Sequence, residues 1–373
     1  MKFLTLQKII VFTLFWMSIP LSFSQTIPLS EEAQISVLTC GTSNEVYALF
    51  GHTAIRVKDK RSGVDEVYNY GAFDFDTPNF ALQFVKGNLQ YFAVANSYPD
   101  FIANYSYEKR SVYEQVLNIS APQKQRLFAL LNESLLLENR EYTYKFIDQN
   151  CTSMAVAVIN KAINQEVIVK KGDLKTSYRS ILYPYFNNHF YEQLGTSIIF
   201  GHKTDQAGTA IFLPFELKQN LNQIQLGQSP IVKQNNTLLE FKPEPNSSWW
   251  NNPYTYLVVL AFVLLINKKT TDTVYLASMG VLGIAFVILG FYSTHLELGN
   301  NYNILLFNPI LLVLLYFAKA NNTKWMKYTL TINLIALGIY TLLLLNKAHL
   351  WIVAPLIITS SVVLVRGFWK KEI

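Results

Sequence analysis

The sequence predicts an α+β exported domain, with an antiparallel sheet and helices, followed by an all-α bundle of five transmembrane helices. Three observations predict it: an apolar leader behind a lysine at position 2, a middle region of interleaved strand-like and helix-like stretches, and near-continuous apolar runs from about residue 254 onward.

The leader, "FLTLQKIIVFTLFWMSIPLSF" at 3–23, ends in small residues at "SFS". That layout predicts a signal peptide over 1–24, cleaved near Ser24. An uncleaved first membrane helix is the alternative, and either one exports the segment that follows. The five apolar runs lie at roughly 254–266, 273–292, 302–318, 327–345 and 348–366. The first reaches spanning length only if Trp249 and Trp250 sit at the membrane interface, where indole rings favour lying. "NKKTTD" and "KANNTKWMK" hold five lysines between them, and the tail "RGFWKKEI" is basic, whereas "STHLELGNN" and "NKAH" are nearly neutral. Positive charge gathers on the cytoplasmic side, so these loops predict a cytoplasmic C-terminus and an exported 25–250 domain ahead of a 251–373 membrane domain.

The chain carries 31 Lys and Arg against 25 Asp and Glu, a net charge of +6. Outside the leader and the membrane part, 20 basic residues face 22 acidic ones. The excess positive charge therefore reflects membrane orientation, and no nucleic-acid partner is expected. Five scattered histidines without HExxH or grouped carboxylates predict no metal. Neither a GxSxG elbow nor a phosphate-cradling glycine loop is present, and no cofactor is expected.

Within the exported domain, residues 53–58 and 66–70 read as strands joined by the turn "KDKRSG". "TPNFALQFVKG" and "PQKQRLFALLNESLLL" read as helices, the second capped by Ser120 with Pro122 near its start. "YTYKF" alternates as a short strand, and "NCTSMAVAVINKAI" follows as a helix. The stretch after 165 is less legible.

Cys40 and Cys151 are the two cysteines. Export favours a disulfide between them, but three features favour a free Cys151 thiolate. It opens a helix behind Asp148 and Asn150, where free amides and the helix dipole lower a thiol pKa. It shares a helical face with Ala155, Val158, Ile159 and Ala162, so the sulfur points toward whatever that helix packs on. In "ALFGHTAIRV", His52, Ala54 and Arg56 share one strand face, and small Ala54 would admit a helix beside His52. A helix-start cysteine facing a histidine on a sheet suits nucleophilic catalysis through a covalent acyl intermediate.

"FGHTAIRV", "YNYGAFDF" and "ENREYTYKFIDQNC", in that order, resemble the Lnb family of bacterial lipoprotein N-acyltransferases. The family also carries a C-terminal block of membrane helices, and "THLELGNNYNILLFNP" at 294–309 resembles its loop with His, paired Asn and Asn-Pro. The resemblance implies a permuted papain-like fold in the periplasmic domain, of the kind seen in lecithin:retinol acyltransferase, with the membrane helices in the inner membrane. It implies a cysteine-dependent acyltransferase of lipoprotein maturation. An acyl chain would move from a phospholipid, through a Cys151 thioester, to the N-terminal amine of a diacylglyceryl-cysteine lipoprotein. His52 would serve as base and then acid, with helix-start amides as oxyanion donors. Asn69 is the expected third residue, orienting the imidazole, with Asp74 as rival. Arg56, His295, Asn301, Asn303 and Asn308 are the expected substrate-binding residues, Arg110 and Arg140 being further headgroup candidates. His189 and His349 are expected to be structural or interfacial, and His202 lacks a following strand. Extracting a sixteen-carbon chain from lipid costs roughly 12 kcal/mol, which would explain a thiolate kept at the bilayer surface. Two other readings stand beside this one: a cysteine peptidase or amidase acting on cell-wall peptide, and a non-enzymatic binding domain on a membrane anchor.

Overall fold

Short β-branched and aromatic runs in the N-terminal half pair into one antiparallel sheet. The computed structural model describes residues 28–242 and 248–369, so the leader expected at 1–24 lies outside the described residues. The strands are β1 (Gln34–Cys40), β2 (His52–Asp59), β3 (Val64–Ala72), β4 (Gln90–Ser97), β5 (Val112–Leu117), β6 (Glu141–Thr143) and, after the two-residue pair β7 (Gln225–Leu226) and β8 (Ser229–Pro230), β9 (Val232–Leu239). Seven of them form a sheet in the order β6-β4-β3-β2-β1-β5-β9. The predicted hairpin is β2–β3, with Ala54 opposite Asn69 and Asp59 opposite Val64. "YTYKF" contributes only Tyr142 and Thr143 to β6, which pairs with the start of β4.

The helices of this half are α1 (Phe80–Lys86), α2 (Tyr98–Tyr107), α3 (Ala121–Glu133), α4 (Cys151–Ile163), α5 (Tyr178–Leu182), α6 (Phe190–Ile199) and α7 (Pro214–Leu221). Ser120 caps α3 in a reciprocal capping box with Gln123. Asn150 caps α4 in the same manner with Ser153. One sheet face carries Ile55, Val57, Tyr68 and Tyr70 against Leu127 and Leu131 of α3 and Ala155 and Ile159 of α4. The opposite face carries Leu38, Ala54 and Val67 against Phe101 of α2. Alternation along β2 therefore divides two cores. The helix that Ala54 admits is α2, while α4 packs on the Ile55 and Val57 face.

The C-terminal half is helical: α8 (Pro253–Ile266), α9 (Lys269–Tyr292), α10 (Ile310–Lys319), α11 (Thr323–Leu344) and α12 (Leu350–Leu364). Four helical segments, Lys269–Tyr292, Tyr302–Lys319, Thr323–Leu344 and Leu350–Phe368, are long and apolar enough to cross a membrane. The first of the five expected spans is shorter. Residues 248–252 are not helical, Asn252 caps at Tyr254 and Thr255, and α8 keeps 14 residues. At 1.5 Å per residue that is about 21 Å, short of a core about 30 Å thick. Its far end is held by Arg366, which donates to the carbonyls of Leu264 (2.5 Å) and Val263 (2.7 Å) and pairs with Asp272 of α9.

The less legible stretch after 165 supplies the joint between the halves. Phe190, Leu194 and Ile198 of α6 pack into the membrane-side core with Tyr256 and Leu356. β9 returns to the sheet edge beside β5.

Candidate active site

His52 opens β2 immediately after Gly51, whose φ of +79° is a left-handed turn suited to glycine. Its Nε2 lies 3.2 Å from Asn69 Oδ1. The Asn69 amide is oriented by its own Nδ2, which donates to Val67 O and to Asn96 Oδ1, both at 3.1 Å. Its oxygen is thereby turned to the histidine, so Nε2–H is the donor. That tautomer leaves the Nδ1 lone pair free to accept a proton.

Cys151 is the first residue of α4. Asn150 Oδ1 accepts from the N–H groups of Thr152 (2.9 Å) and Ser153 (3.1 Å). Its Nδ2 donates to Phe146 O and Phe212 O, which ties the helix start to two loops. Although α4 lies on the face opposite Ala54, its first residue reaches past the end of β2. There Cys151 Cβ and His52 Cε1 each lie 3.8 Å, and Tyr142 Oη 3.9 Å, from the point a Gly71 β-carbon would occupy. Gly71 has φ +122° and sits in the irregularity between Tyr70 and Ala72 of β3. The irregularity thus lies beside the point where Cys151 and the imidazole come together at the sheet's end.

Burial opposes the thiolate, but facing His52, its hydrogen bond, the Thr53 amide and the Thr152 hydroxyl outweigh it, so the Cys151 pKa is lowered. The Thr53 and Thr152 hydroxyls bond at 2.9 Å and fasten β2 to the second residue of α4. Cys40 is a free, fully buried thiol pushed up to about 12 by desolvation. The chain thus holds one acidic and one inert thiol, and the expected alternative of a Cys40–Cys151 disulfide does not occur.

Tyr142 escaped the sequence reading. Its hydroxyl is buried and has no hydrogen-bond partner among the described residues. Burial keeps it protonated, its pKa raised well beyond the ordinary phenol. Alternation of "YTYKF" puts Tyr142 and Tyr144 on one face, and this was the available signal. Its value depended on β6 lying beside β4, which local sequence does not specify.

The other expected residues are placed elsewhere. Asp74 accepts from the Asp76 amide in an exposed turn (2.8 Å). Arg56 is buried, paired with Asp65 (2.7 Å) and Glu114 (3.2 Å), with its guanidinium 3.2 Å from the Tyr98 ring centre. Arg110 donates to Gly41 O and pairs with Glu108, while Arg140 lies over the Phe92 ring. Asn301 donates to Ile198 O and Ile199 O, and Asn303 to Ile198 O and Phe200 O, closing the end of α6. Asn308 Oδ1 caps α10 at Ile310. His295 donates to Phe84 O (2.9 Å), and its pKa is lowered by burial. Nearby, Glu297 accepts from the Ile147 amide (3.2 Å), four residues before Cys151. His189 faces Asn44, His349 bonds Tyr302, and His202 is exposed. The structure thus gathers His52, Asn69 and Cys151 in one place, sets His295, Asn301 and Asn303 along the seam between the two halves, buries Arg56 beside the sheet and leaves Asn308 at the start of α10.

Two family models match the chain in order. The Lnb N-terminal periplasmic domain matches residues 24–183, and the Lnb transmembrane domain matches residues 245–371. Comparison with curated proteins and with solved structures gave no match.

Proposed function

The chain belongs to the Lnb family, a periplasmic domain joined to membrane helices, and from that premise we propose that it is a cysteine-dependent lipoprotein N-acyltransferase of the inner membrane. In this reading the sheet and its flanking helices are a permuted papain-like domain on the periplasmic side; the short α8 completes a fifth crossing beside the four longer spans, and the C-terminus is cytoplasmic. The observation that carries the proposal is the meeting of Cys151, at the start of α4, with the His52 imidazole beside Gly71, the ring being oriented by Asn69; the lowered thiol pKa agrees with it.

The reaction has two halves. The Cys151 thiolate adds to a phospholipid ester carbonyl, and the oxygen becomes an oxyanion. The Cys151 amide, which has no acceptor among the described residues, and the Tyr142 hydroxyl are the donors available to it. Collapse breaks the bond to the glycerol oxygen, which takes the proton held by His52, and a lyso-phospholipid leaves. The thioester is then attacked by the α-amine of a diacylglyceryl-cysteine. His52 removes the amine's proton, an amide forms, and the thiolate is released. Asn69 acts through the imidazole as a positioning residue.

The test uses the full chain in phosphatidylethanolamine vesicles with a diacylated lipopeptide acceptor. The expected product is the triacylated peptide, lost with Cys151→Ser. Undiminished transfer by that variant would overturn the proposal.

A further inference from the structure

The helix α1 is apolar at Phe80, Ala81, Leu82, Phe84 and Val85, yet none of its residues is buried. Leu82 is 55% and Phe84 42% exposed, and Phe75, just upstream, is 67% exposed. Apolar side chains gathered in this way on a water-facing surface mark an interaction site.

The position of α1 identifies the partner. Its last carbonyls are bound by the loop that leaves α9. Ser293 Oγ donates to Val85 O (2.6 Å), the Thr294 amide to Lys86 O (2.8 Å), and His295 to Phe84 O (2.9 Å). Lys145 reaches Gly87 O from the loop before Cys151 (2.8 Å). Thus α1 is fixed at the height where the Lys269–Tyr292 span ends. Phe291, in the last turn of that span, is 90% exposed, and the Lys86 ammonium lies 5.6 Å from the Tyr292 ring centre. The apolar surface of the span and that of α1 are therefore continuous at the rim facing the periplasmic domain.

We propose that the segment from Phe75 to Lys86 lies in the outer leaflet of the membrane and that acyl chains pass along it to Cys151. Immersion follows from the exposure and the anchoring. The passage of the acyl chain rests on the acyltransferase reading. Interfacial helices settle about 5–10 Å deep, at the boundary of headgroups and acyl chains. Glycerol ester bonds lie at that same boundary. Aromatic rings line the way inward: Phe84 stacks at 6.4 Å on Tyr144, and Tyr144 at 4.4 Å on Tyr91. Phe73, two residues after Gly71, packs on Tyr91 at 5.1 Å and on Phe75 at 4.8 Å.

Immersion is tested without activity. A nitroxide is attached at Leu82→Cys in a Cys151→Ser chain, Cys40 being fully buried and unreactive. The protein is placed in phosphatidylethanolamine–phosphatidylglycerol vesicles. Collisions with oxygen should dominate at position 82, and collisions with a water-soluble nickel chelate should fall several-fold below those at Lys60→Cys. Lys60 is exposed at the far end of the β2–β3 hairpin. Equal nickel access at both positions would overturn immersion. The acyl path is tested with Leu82→Asp and Phe84→Asp together in the intact chain. Transfer from vesicle lipid should drop at least tenfold, while alkylation of Cys151 by iodoacetamide keeps its wild-type rate. Unchanged transfer would overturn the path. A wild-type chain without any transfer would instead overturn the acyltransferase reading, and the nitroxide result would still decide immersion.

Discussion

The Cys151 thiol is acidic because His52, joined by the Thr53 amide and the Thr152 hydroxyl, outweighs its burial, and the dependence on His52 has a sign that can be measured. With His52→Ala, desolvation loses its main opponent, so the midpoint of the pH profile for Cys151 alkylation should move up from the wild-type value. An unchanged midpoint would show that the imidazole does not act on the sulfur. Tyr142→Phe separates ground-state from transition-state effects. It leaves the alkylation profile in place and lowers kcat for transfer by roughly 100- to 1000-fold, as expected for loss of one oxyanion donor. Equal kcat in the variant would return Tyr142 to a packing role. At this scale Cys151, His52 and Asn69 were legible because each stands in a recognisable local pattern. Tyr142 and Gly71 were not, since both matter only through strand pairing and a backbone irregularity that brings distant segments together.

Among the elements, the membrane helices approach one another where side chains are absent. A β-carbon on Gly283 of α9 would fall 1.7 Å from Phe307 O, a backbone atom that cannot yield without moving the loop before α10. Gly283→Ala should therefore lower stability by about 1–3 kcal/mol, the range for overpacked cores, read as a lower Tm in detergent. An unchanged Tm would mean that this packing is loose. The elements also show where local reading stops. The capping residues Ser120 and Asn150 marked the starts of α3 and α4, because a cap is a short-range bond. The side of the sheet on which α4 lies was misread: Ala54 offered space, but the larger apolar face of Ile55 and Val57 takes the amphipathic helix, leaving Ala54 to α2. The apolar run expected at 254–266 is close to α8, whereas Trp249 and Trp250, on which its spanning length depended, lie outside the helix ahead of Pro253.

For the whole molecule, the two halves act as one unit rather than a catalytic domain on a tether. The loop from Ser293 to Asn303 binds α1, the segment before Cys151 through Glu297, and the end of α6 through Asn301 and Asn303. Of the polar residues at membrane level singled out in the sequence, His295, Glu297, Asn301 and Asn303 bond across this seam. Their number was legible, but their partners lay in a stretch whose pattern was too irregular to read. The seam ties the segment before Cys151 to the loop that leaves the Lys269–Tyr292 span, which suits the proposed chemistry, since an acyl chain is then not required to cross water. The most direct measurement is the intact mass of the full chain incubated with phosphatidylethanolamine vesicles and no amine acceptor. The proposed chemistry predicts one added acyl group, mapped to Cys151, labile to neutral hydroxylamine and discharged when lipopeptide is supplied. An unmodified mass at Cys151 under conditions where lipopeptide is otherwise acylated would contradict a thioester route.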